Sequence, residues 1–139
     1  MISNVITAST KLDVSGNHGF HIHTSAVPPS GDCKGTGGHY NPFEKDHGSP
    51  DVENRHVGDL GNIVMTKGED GIYNSTVDIT DSKVTLFGDN SVAGRAIVLH
   101  AGEDDLGLGG EDDSLTTGHA GSRIACCTIN LGPPEGKHI

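Results

Sequence analysis

Histidine is the residue type in this chain that most clearly suggests chemistry, because the 139 residues include nine histidines and only three cysteines. Imidazole nitrogen is a common protein ligand for both zinc and copper. His21 and His23 stand two residues apart in the segment GFHIHT. If this segment is a strand, both imidazoles lie on one face and Ile22 lies on the other. Such a pair on a rigid strand supplies half of a metal site.

A second group of candidate ligands follows along the chain. His39, His47 and His56 are eight and nine residues apart, and Asp59 comes three residues after His56. Three imidazoles and one carboxylate form a closed tetrahedral set that suits Zn²⁺. The alternative is that these residues are scattered over the surface, but their order and the glycines around them argue against it.

The first pair also has candidate partners. His100 ends the apolar run GRAIVLH, which is short enough to be a buried strand beside the one that carries His21 and His23. With His39 as a shared ligand, these residues make a four-nitrogen site of the kind that suits Cu(II). The spacing therefore predicts two metal sites built from seven residues.

The elements that must position these residues are predicted to be short β-strands. No window keeps a 3.6-residue period, and 21 glycines favour turns over helices. The strand candidates are Val5–Leu12, Gly19–Thr24, Asp59–Thr66, Ile72–Ile79, Lys83–Phe87, Gly94–His100 and Arg123–Leu131, with a hairpin loop at Gly68–Gly71. This pattern predicts a single all-β domain over residues 1–139, a sandwich or barrel, with residues 131–139 as a mobile tail.

Two long stretches lack a regular pattern, and loops of more than about 12–15 residues in a compact domain are usually functional or disordered. The first, Ser25–Arg55, holds several histidine and cysteine landmarks, so we expect it to have a function. The second, Ala101–Gly121, is rich in glycine and aspartate, and its simplest interpretation is a solvated acidic loop.

Composition excludes several classes of partner. The formal net charge is −10, so a basic surface for nucleic acid is not expected. No apolar run approaches the roughly 20 residues of a membrane span, and residues 1–10 do not read as a secretory signal. We expect the cytoplasm, with the extracellular space as the alternative. By residue type alone, Cys33, Cys126 and Cys127 are interpreted as buried or reduced thiols.

Five segments, taken together, resemble the motifs of copper/zinc superoxide dismutases. They are GFHIH at Gly19–His23, GGHYNP at Gly37–Pro42, NRHVGDLGN at Asn54–Asn62, EDDLG at Glu103–Gly107 after the strand that ends at His100, and TGHAGSRIAC at Thr117–Cys126. They occur in the family's order between about Val5 and Asn130. The resemblance implies a Greek-key β-barrel with two long functional loops.

The resemblance also implies roles for individual residues. The implied copper ligands are His21, His23, His39 and His100; the implied zinc ligands are His39, His47, His56 and Asp59. His39 would bridge the two metals, and Arg123 would receive the anionic substrate. Asp104 would link the sites through hydrogen bonds to His23 and His47. Cys33 and Cys126 would form a disulfide, which replaces the reduced-thiol interpretation and leaves Cys127 free.

The implied function is the disproportionation of superoxide to O₂ and H₂O₂ with copper and zinc as cofactors. Superoxide would be the substrate, a copper-delivery protein a further partner, and the chain a homo-oligomer of uncertain mode. The alternative is a metal-binding or copper-handling relative with little catalytic activity. This chain keeps all the candidate ligands and Arg123, which favours the enzyme.

Some features depart from the family pattern. About two N-terminal strands are expected to be missing, which leaves six and an exposed sheet edge that seeks a partner. Pro28-Pro29 alter a segment that contributes to the family's dimer, so the usual dimer is in doubt. Gly102 and Thr116 stand where relatives often have lysines, and His119, interpreted as a loop residue, replaces a common asparagine.

Overall fold

The computed structural model describes residues 2–8 and 14–132, and within residues 2–8 only the course of the backbone. In this part of the chain six strands form one curled antiparallel sheet, with almost no helix. The strands are β1 (Ile2–Ala8), β2 (Gly16–His23), β3 (Asp59–Lys67), β4 (Tyr73–Ile79), β5 (Ala96–His100) and β6 (Arg123–Thr128). A 3₁₀ helix at Cys33–Thr36 and a single-turn α1 at Ser114–Thr117 lie in the two long stretches. Among the described residues, no helix has the length and apolar character to cross a bilayer.

The order of strands in the sheet is β1-β4-β3-β2-β5-β6. β2, β3 and β4 are neighbours in chain order, and β5 returns to pair with β2, which is the Greek-key arrangement. The predicted all-β fold class is confirmed. The expected hairpin is present as well, since Lys67 pairs with Tyr73 across the loop that contains Gly68–Gly71.

Two sequence predictions at the chain ends are only partly covered by the structure. The strand predicted over Val5–Leu12 corresponds to β1, which begins earlier, at Ile2, and ends at Ala8. Residues 9–13 lie outside the described residues. Residues 133–139 of the predicted tail lie outside them too, so the tail stays a prediction.

The strand predicted over Lys83–Phe87 is wrong. Polar side chains in this segment hold the backbone groups that a strand would offer to a neighbour. The Asp81 carboxylate accepts hydrogen bonds from the backbone N–H groups of Lys83 and Val84, at 2.8 and 2.9 Å. The Ser91 hydroxyl donates to the carbonyl of Leu86 at 2.7 Å. Short polar side chains that bond nearby backbone favour turns over sheet, and here they outweigh the apolar alternation.

The two faces of the strand β2 carry different side chains, apolar on one face and histidine on the other. Phe20 and Ile22 point into the hydrophobic core, whereas His21 and His23 lie on the opposite face, as their spacing predicts. Both faces are buried, because the long loops cover the histidine face. The core cluster consists of Val14, Phe20, Ile22, Tyr40, Val57, Leu60, Ile63, Met65, Tyr73, Val77, Val92 and Leu99.

Three backbone hydrogen bonds hold the first long stretch against β2. The Ile22 N–H donates to the carbonyl of Gly58 at 2.8 Å, and the Tyr40 N–H donates to the carbonyl of Ile22 at 2.8 Å. The Gly58 N–H closes the triangle by donating to the carbonyl of Tyr40 at 3.0 Å. Ile22 lies between His21 and His23, Tyr40 follows His39, and Gly58 precedes Asp59. This triangle therefore sets the relative positions of three segments that carry candidate ligands.

The second long stretch packs on the other side of the same face. The Gly19 N–H donates to the carbonyl of Gly102 at 2.9 Å, and the Gly102 N–H donates to Ala120 at 2.8 Å. The His47 N–H donates to the carbonyl of Leu115 in α1 at 2.8 Å. The acidic stretch is thus ordered against the histidine face through buried residues such as Asp104 and Ser114, and most of its other residues are exposed, so the interpretation as a solvated loop holds for its outer side.

Gly58→Ala is expected both to destabilise the protein and to weaken zinc binding. A Cβ atom at residue 58 would collide with the carbonyl of Ile22, which belongs to the backbone and cannot rotate away. We expect a loss of about 1–3 kcal/mol in the free energy of unfolding, as for other overpacked sites. Urea unfolding and zinc titration measure the two effects. Gly38→Ala is the matched control, because a Cβ there meets no atom within 4 Å. Equal behaviour of the two variants would contradict the role of the triangle.

Candidate metal centre

Three imidazoles converge around the carboxylate of Asp59 at the start of β3. Asp59 Oδ1 lies 2.9 Å from His39 Nδ1, 3.0 Å from His47 Nδ1 and 3.1 Å from His56 Nδ1. His39 Nδ1 and His56 Nδ1 are 3.3 Å apart. A tetrahedral zinc ion with bonds of about 2.0–2.1 Å has ligand atoms about 3.3 Å apart. The four atoms therefore have the separation that a tetrahedral cation needs.

The other oxygen of Asp59 is held by the backbone. Oδ2 accepts hydrogen bonds from the N–H groups of His56 and Gly48, at 2.9 and 3.1 Å. Burial works against a charged carboxylate here, but hydrogen bonds from His39, His47 and His56 outweigh it and hold the pKa of Asp59 well below its usual range. A buried carboxylate that stays ionised is the anionic ligand that a closed zinc site requires.

A second set of donors consists of imidazole nitrogens only. His21 and His23 of β2, His39 of the first long stretch and His100 of β5 form a buried group whose ligand atoms all lie within 4.8 Å of one another. β2 and β5 pair in the sheet, as the sequence predicted for His100. His23 Nε2 and His100 Nε2 are 3.2 Å apart. His21 Nδ1 is buried and has no hydrogen-bond partner among the described residues.

The two sets share His39. Its Nδ1 faces Asp59 at 2.9 Å, while its Nε2 is buried and has no partner in the described part of the chain. His39 belongs to both groups of donors, so its two ring nitrogens can serve two cations. Leaving a buried polar atom unpaired costs about 1–3 kcal/mol, and a bound cation removes this cost. The unpaired nitrogens therefore fit a two-metal centre, one all-nitrogen and one with a carboxylate.

The ring nitrogens that face away from the two sets are bonded to the protein. His23 Nδ1 lies 2.8 Å from the carbonyl of Gly37, and His100 Nδ1 lies 3.0 Å from the carbonyl of Gly121. A carbonyl oxygen can only accept, so these nitrogens carry the proton and the opposite nitrogens present lone pairs. These backbone contacts orient the rings for metal binding.

Asp104 links the two sets, but through His21 and not through His23 as predicted. Its Oδ2 lies 2.8 Å from His21 Nε2, and its Oδ1 lies 2.7 Å from His47 Nε2. His23 cannot be the partner, because its outward nitrogen is bonded to Gly37. The rest of the predicted role agrees with the structure, since Asp104 is buried and contacts one histidine of each set.

Burial keeps the histidines of the nitrogen set neutral. It lowers the pKa of His21 to about 3, that of His23 to about 2 and that of His100 to about 4. His47 behaves in the opposite way, because hydrogen bonds to Asp104 and Asp59 outweigh burial and raise its pKa to about 9. A neutral imidazole binds a metal without first losing a proton, so the nitrogen set is ready to bind near neutral pH.

Two residues that support the centre were not predicted from the sequence, His18 and Asn62. His18 is buried, with Nδ1 2.9 Å from the carbonyl of His100 and Nε2 2.9 Å from the carbonyl of Val14. Asn62 accepts from the N–H of Asp104 at 2.7 Å and donates to its carbonyl at 2.9 Å. The contacts that tie them to the centre, His18 to the carbonyl of His100 and Asn62 to the backbone of Asp104, span 82 and 42 residues, so residue spacing carried no signal for either role.

Arg123 opens β6 and pairs in register with His100 of β5. Its Nη1 donates to the carbonyls of Cys33 and Lys34 at 2.9 and 3.2 Å and to the Thr36 hydroxyl at 3.0 Å. The guanidinium is therefore fixed against the 3₁₀ helix, and its charge is close enough to His23 and His100 to lower their pKa values further. The predicted anion-binding residue thus lies beside the nitrogen set.

The predicted disulfide is confirmed: Cys33 and Cys126 are joined, and Cys127 is a free, exposed thiol. The bond ties the 3₁₀ helix to β6 across a sequence separation of 93 residues. Closing a loop of this length removes unfolded-state entropy worth on the order of 4–5 kcal/mol. It also anchors the 3₁₀ helix to the strand that carries Arg123.

The acidic loop, residues 101–122, contains no lysine. Gly102 is half-buried in backbone contacts and Thr116 is exposed in α1. His119 is a loop residue, as predicted, and its Nδ1 contacts the Asp113 carboxylate at 2.6 Å. That carboxylate raises the pKa of His119.

Comparisons with known proteins agree with this geometry. The profile of the copper/zinc superoxide dismutase (SODC) family matches residues 3–129. Superoxide dismutase [Cu-Zn] 5 of Dictyostelium discoideum is 51% identical over 131 residues, which cover 94% of this chain and 80% of the relative. The crystal structure of the clock protein EA4 superposes with a TM-score of 0.75 at 46% identity, covering 84% of this chain and 71% of that one.

The curled Greek-key sheet and the paired histidine sets define a two-metal β-protein. The chain belongs to the copper/zinc superoxide dismutase family, which makes it an oxidoreductase with copper and zinc as cofactors and superoxide as substrate.

Asp104→Asn is expected to weaken zinc binding by about 10–100-fold, as removal of an orienting partner does at other metal sites. An amide has one oxygen, so it can accept from His21 or from His47 but not from both, and its N–H₂ group then faces the remaining N–H. Competition with a chelator measures the affinity. Asp112→Asn is the control, since Asp112 is exposed in the same loop. An unchanged zinc affinity in Asp104→Asn would contradict this assignment.

Proposed function

We propose that this protein disproportionates superoxide, 2 O₂⁻ + 2 H⁺ → O₂ + H₂O₂, at the centre described above. The observation that carries the proposal is the shared His39, which brings an all-nitrogen set and a carboxylate-containing set together beside Arg123. His21, His23, His39 and His100 would hold copper, and His39, His47, His56 and Asp59 would hold zinc.

Bound copper supplies one-electron chemistry by alternating between Cu(II) and Cu(I), whereas zinc has no redox chemistry and holds its ligands in place. In the proposed mechanism Arg123 attracts the superoxide anion. A guanidinium suits this task because it stays charged and presents parallel N–H donors. Its Nη1 is occupied by Cys33, Lys34 and Thr36, so the anion would meet the remaining donors.

His39 is the residue proposed to manage the proton. Reduction of the second superoxide to H₂O₂ consumes protons, and they must arrive where the anion binds. His39 Nε2 faces the nitrogen set and has no protein partner among the described residues. This nitrogen can therefore hold a proton beside the anion, while Nδ1 stays directed at Asp59.

The activity is tested with the protein loaded with copper and zinc. We expect superoxide dismutation that cyanide inhibits, and a loss of about tenfold or more in Arg123→Gln at unchanged copper content, because one charge-assisted contact is worth a few kcal/mol. Lys45→Gln makes the same change of charge at an exposed position and is the control.

Elemental analysis of each preparation accompanies the assay. Stoichiometric copper without activity in the parent protein would overturn the proposal and favour a copper-handling role. Equal activity of Arg123→Gln and Lys45→Gln would show that Arg123 does not receive the substrate.

The acidic loop is proposed to weaken long-range attraction of the substrate. The net charge of −10 repels an anion, and no lysine in residues 101–122 opposes it. Electrostatic steering changes association rates by about 10–10³-fold and fades as salt is added.

We therefore expect the activity of the unmodified protein to stay flat or rise with moderate salt. Thr116→Lys should raise the rate at low salt and introduce a decline as salt is added. Rate measurements from 0.01 to 0.2 M salt, with Thr80→Lys as a control for net charge, test this. A steep fall in the unmodified protein would show that its steering is already attractive.

We also propose that the protein is a homo-oligomer, receives copper from a delivery protein and resides in the cytoplasm. Within the described sheet β6 pairs only with β5, so one edge of β6 is open to a second chain, and Ile124 on that strand is 39% exposed. The exposed thiol of Cys127 supports a reducing compartment, where free thiols persist. Sedimentation at several concentrations tests the assembly.

A further inference from the structure

The groove in front of Arg123 carries charges that the proposed mechanism has not used. It has a volume of about 410 Å³ and is lined by Gly31, Asp32, Cys33, Lys34, Gly121, Ser122 and Arg123. Gly121 also accepts the hydrogen bond from His100, so the groove leads to the nitrogen set. An anion that reaches Arg123 through this groove passes the carboxylate of Asp32.

The 3₁₀ helix holds Asp32 and Arg123 against the same residue. Asp32 Oδ1 accepts from the N–H of Lys34 at 2.9 Å, and Arg123 Nη1 donates to the carbonyl of Lys34 at 3.2 Å. The carboxylate and the guanidinium are thus fixed near each other. Partial burial lowers the pKa of Arg123, and the charge of Asp32 acts on it in the opposite direction.

The charge of Asp32 is not cancelled by a close cation. Within residues 14–132, no lysine, arginine or histidine nitrogen forms an ion pair with this carboxylate at 4 Å or less. The side chain is exposed to the groove, so its field reaches an approaching anion. Arg123 attracts that anion and Asp32 repels it.

We infer that Asp32 tunes anion capture in the dismutase reaction, because its carboxylate reduces the affinity of the Arg123 groove for anions. The inference rests on the proposed function and on Arg123 as the anion-binding residue. It predicts that anion affinity and the rate of superoxide capture rise when the charge of Asp32 is removed.

Asp32→Asn removes the charge and keeps the oxygen that accepts from Lys34. In water-like surroundings a unit charge about 7 Å away changes binding by roughly threefold. We therefore expect azide, titrated into the copper-loaded protein and followed by its absorption band, to bind about threefold more tightly. We expect kcat/KM for superoxide to rise by a similar factor at low salt, and both gains to shrink at 0.2 M salt, where screening is strong.

Two further variants separate charge from structure. Glu69→Gln makes the same change of net charge at an exposed position in the β3–β4 loop, beyond the far end of the nine-residue strand that Asp59 begins. Asp32→Glu keeps the charge and is expected to bind azide as the parent does. A structural effect of residue 32 would persist at high salt and would appear in Asp32→Glu as well.

The outcomes distinguish the inference from the proposed function. Tighter azide binding in Asp32→Asn, lost at high salt and absent from Glu69→Gln, supports the inference. If the parent protein binds azide and turns over superoxide, but Asp32→Asn and Glu69→Gln bind azide equally well, the inference is overturned and the proposed function stands. A copper-loaded parent that neither binds azide nor turns over superoxide overturns the proposed function and the inference with it.

Discussion

Burial of imidazole nitrogens is the constraint on which the rest of the structure depends. Six histidines and two aspartates that form the centre are all buried on one face of β2 and its neighbours. Buried polar atoms are unfavourable unless they are bonded, and several ring nitrogens here point at one another and not at the protein. The two long loops therefore have two structural roles. They cover the histidine face, and they bring the carboxylate and carbonyls that bond the outward nitrogens of His21, His23, His47 and His100.

The two buried carboxylates, Asp59 and Asp104, have different roles at the centre. Asp59 belongs to the zinc set and is kept ionised by three histidines, while its second oxygen is held by backbone N–H groups. Asp104 lies outside both sets and contacts one histidine of each. A change at either metal would therefore reach the other through His39 directly and through Asp104 indirectly. Residues from β2, β3, β5 and both long stretches therefore meet at the centre.

The charges at the centre and at the surface oppose each other. In the proposed mechanism the metals and Arg123 attract an anion at short range, whereas the net charge of −10 and the acidic loop repel it at long range. Arg123 is fixed by three contacts to the 3₁₀ helix, and the disulfide fixes that helix to β6. The short-range attraction is therefore rigidly placed, and the groove that leads to it is the part of the site where single charges can adjust the rate.

Much of the fold and of the site could be predicted from the sequence, because both depend on local patterns. Alternation placed His21 and His23 on one face of β2, and the apolar run before His100 identified β5. The ordered motifs indicated the family and the pairing of Cys33 with Cys126. The strand predicted at Lys83–Phe87 was wrong because side-chain hydrogen bonds to nearby backbone, which alternation does not report, decide that segment.

By itself the sequence determined which residues carry the chemistry and which strands present them, since side-chain type and a period of two are local properties. Only the tertiary structure decided how the rings are oriented. It showed that Asp104 bonds His21 and not His23, that His18 and Asn62 support the centre, and that Asp32 faces the groove of Arg123. These relations join residues or backbone groups tens of positions apart, and such contacts are set by the packing of loops on the sheet and not by spacing along the chain.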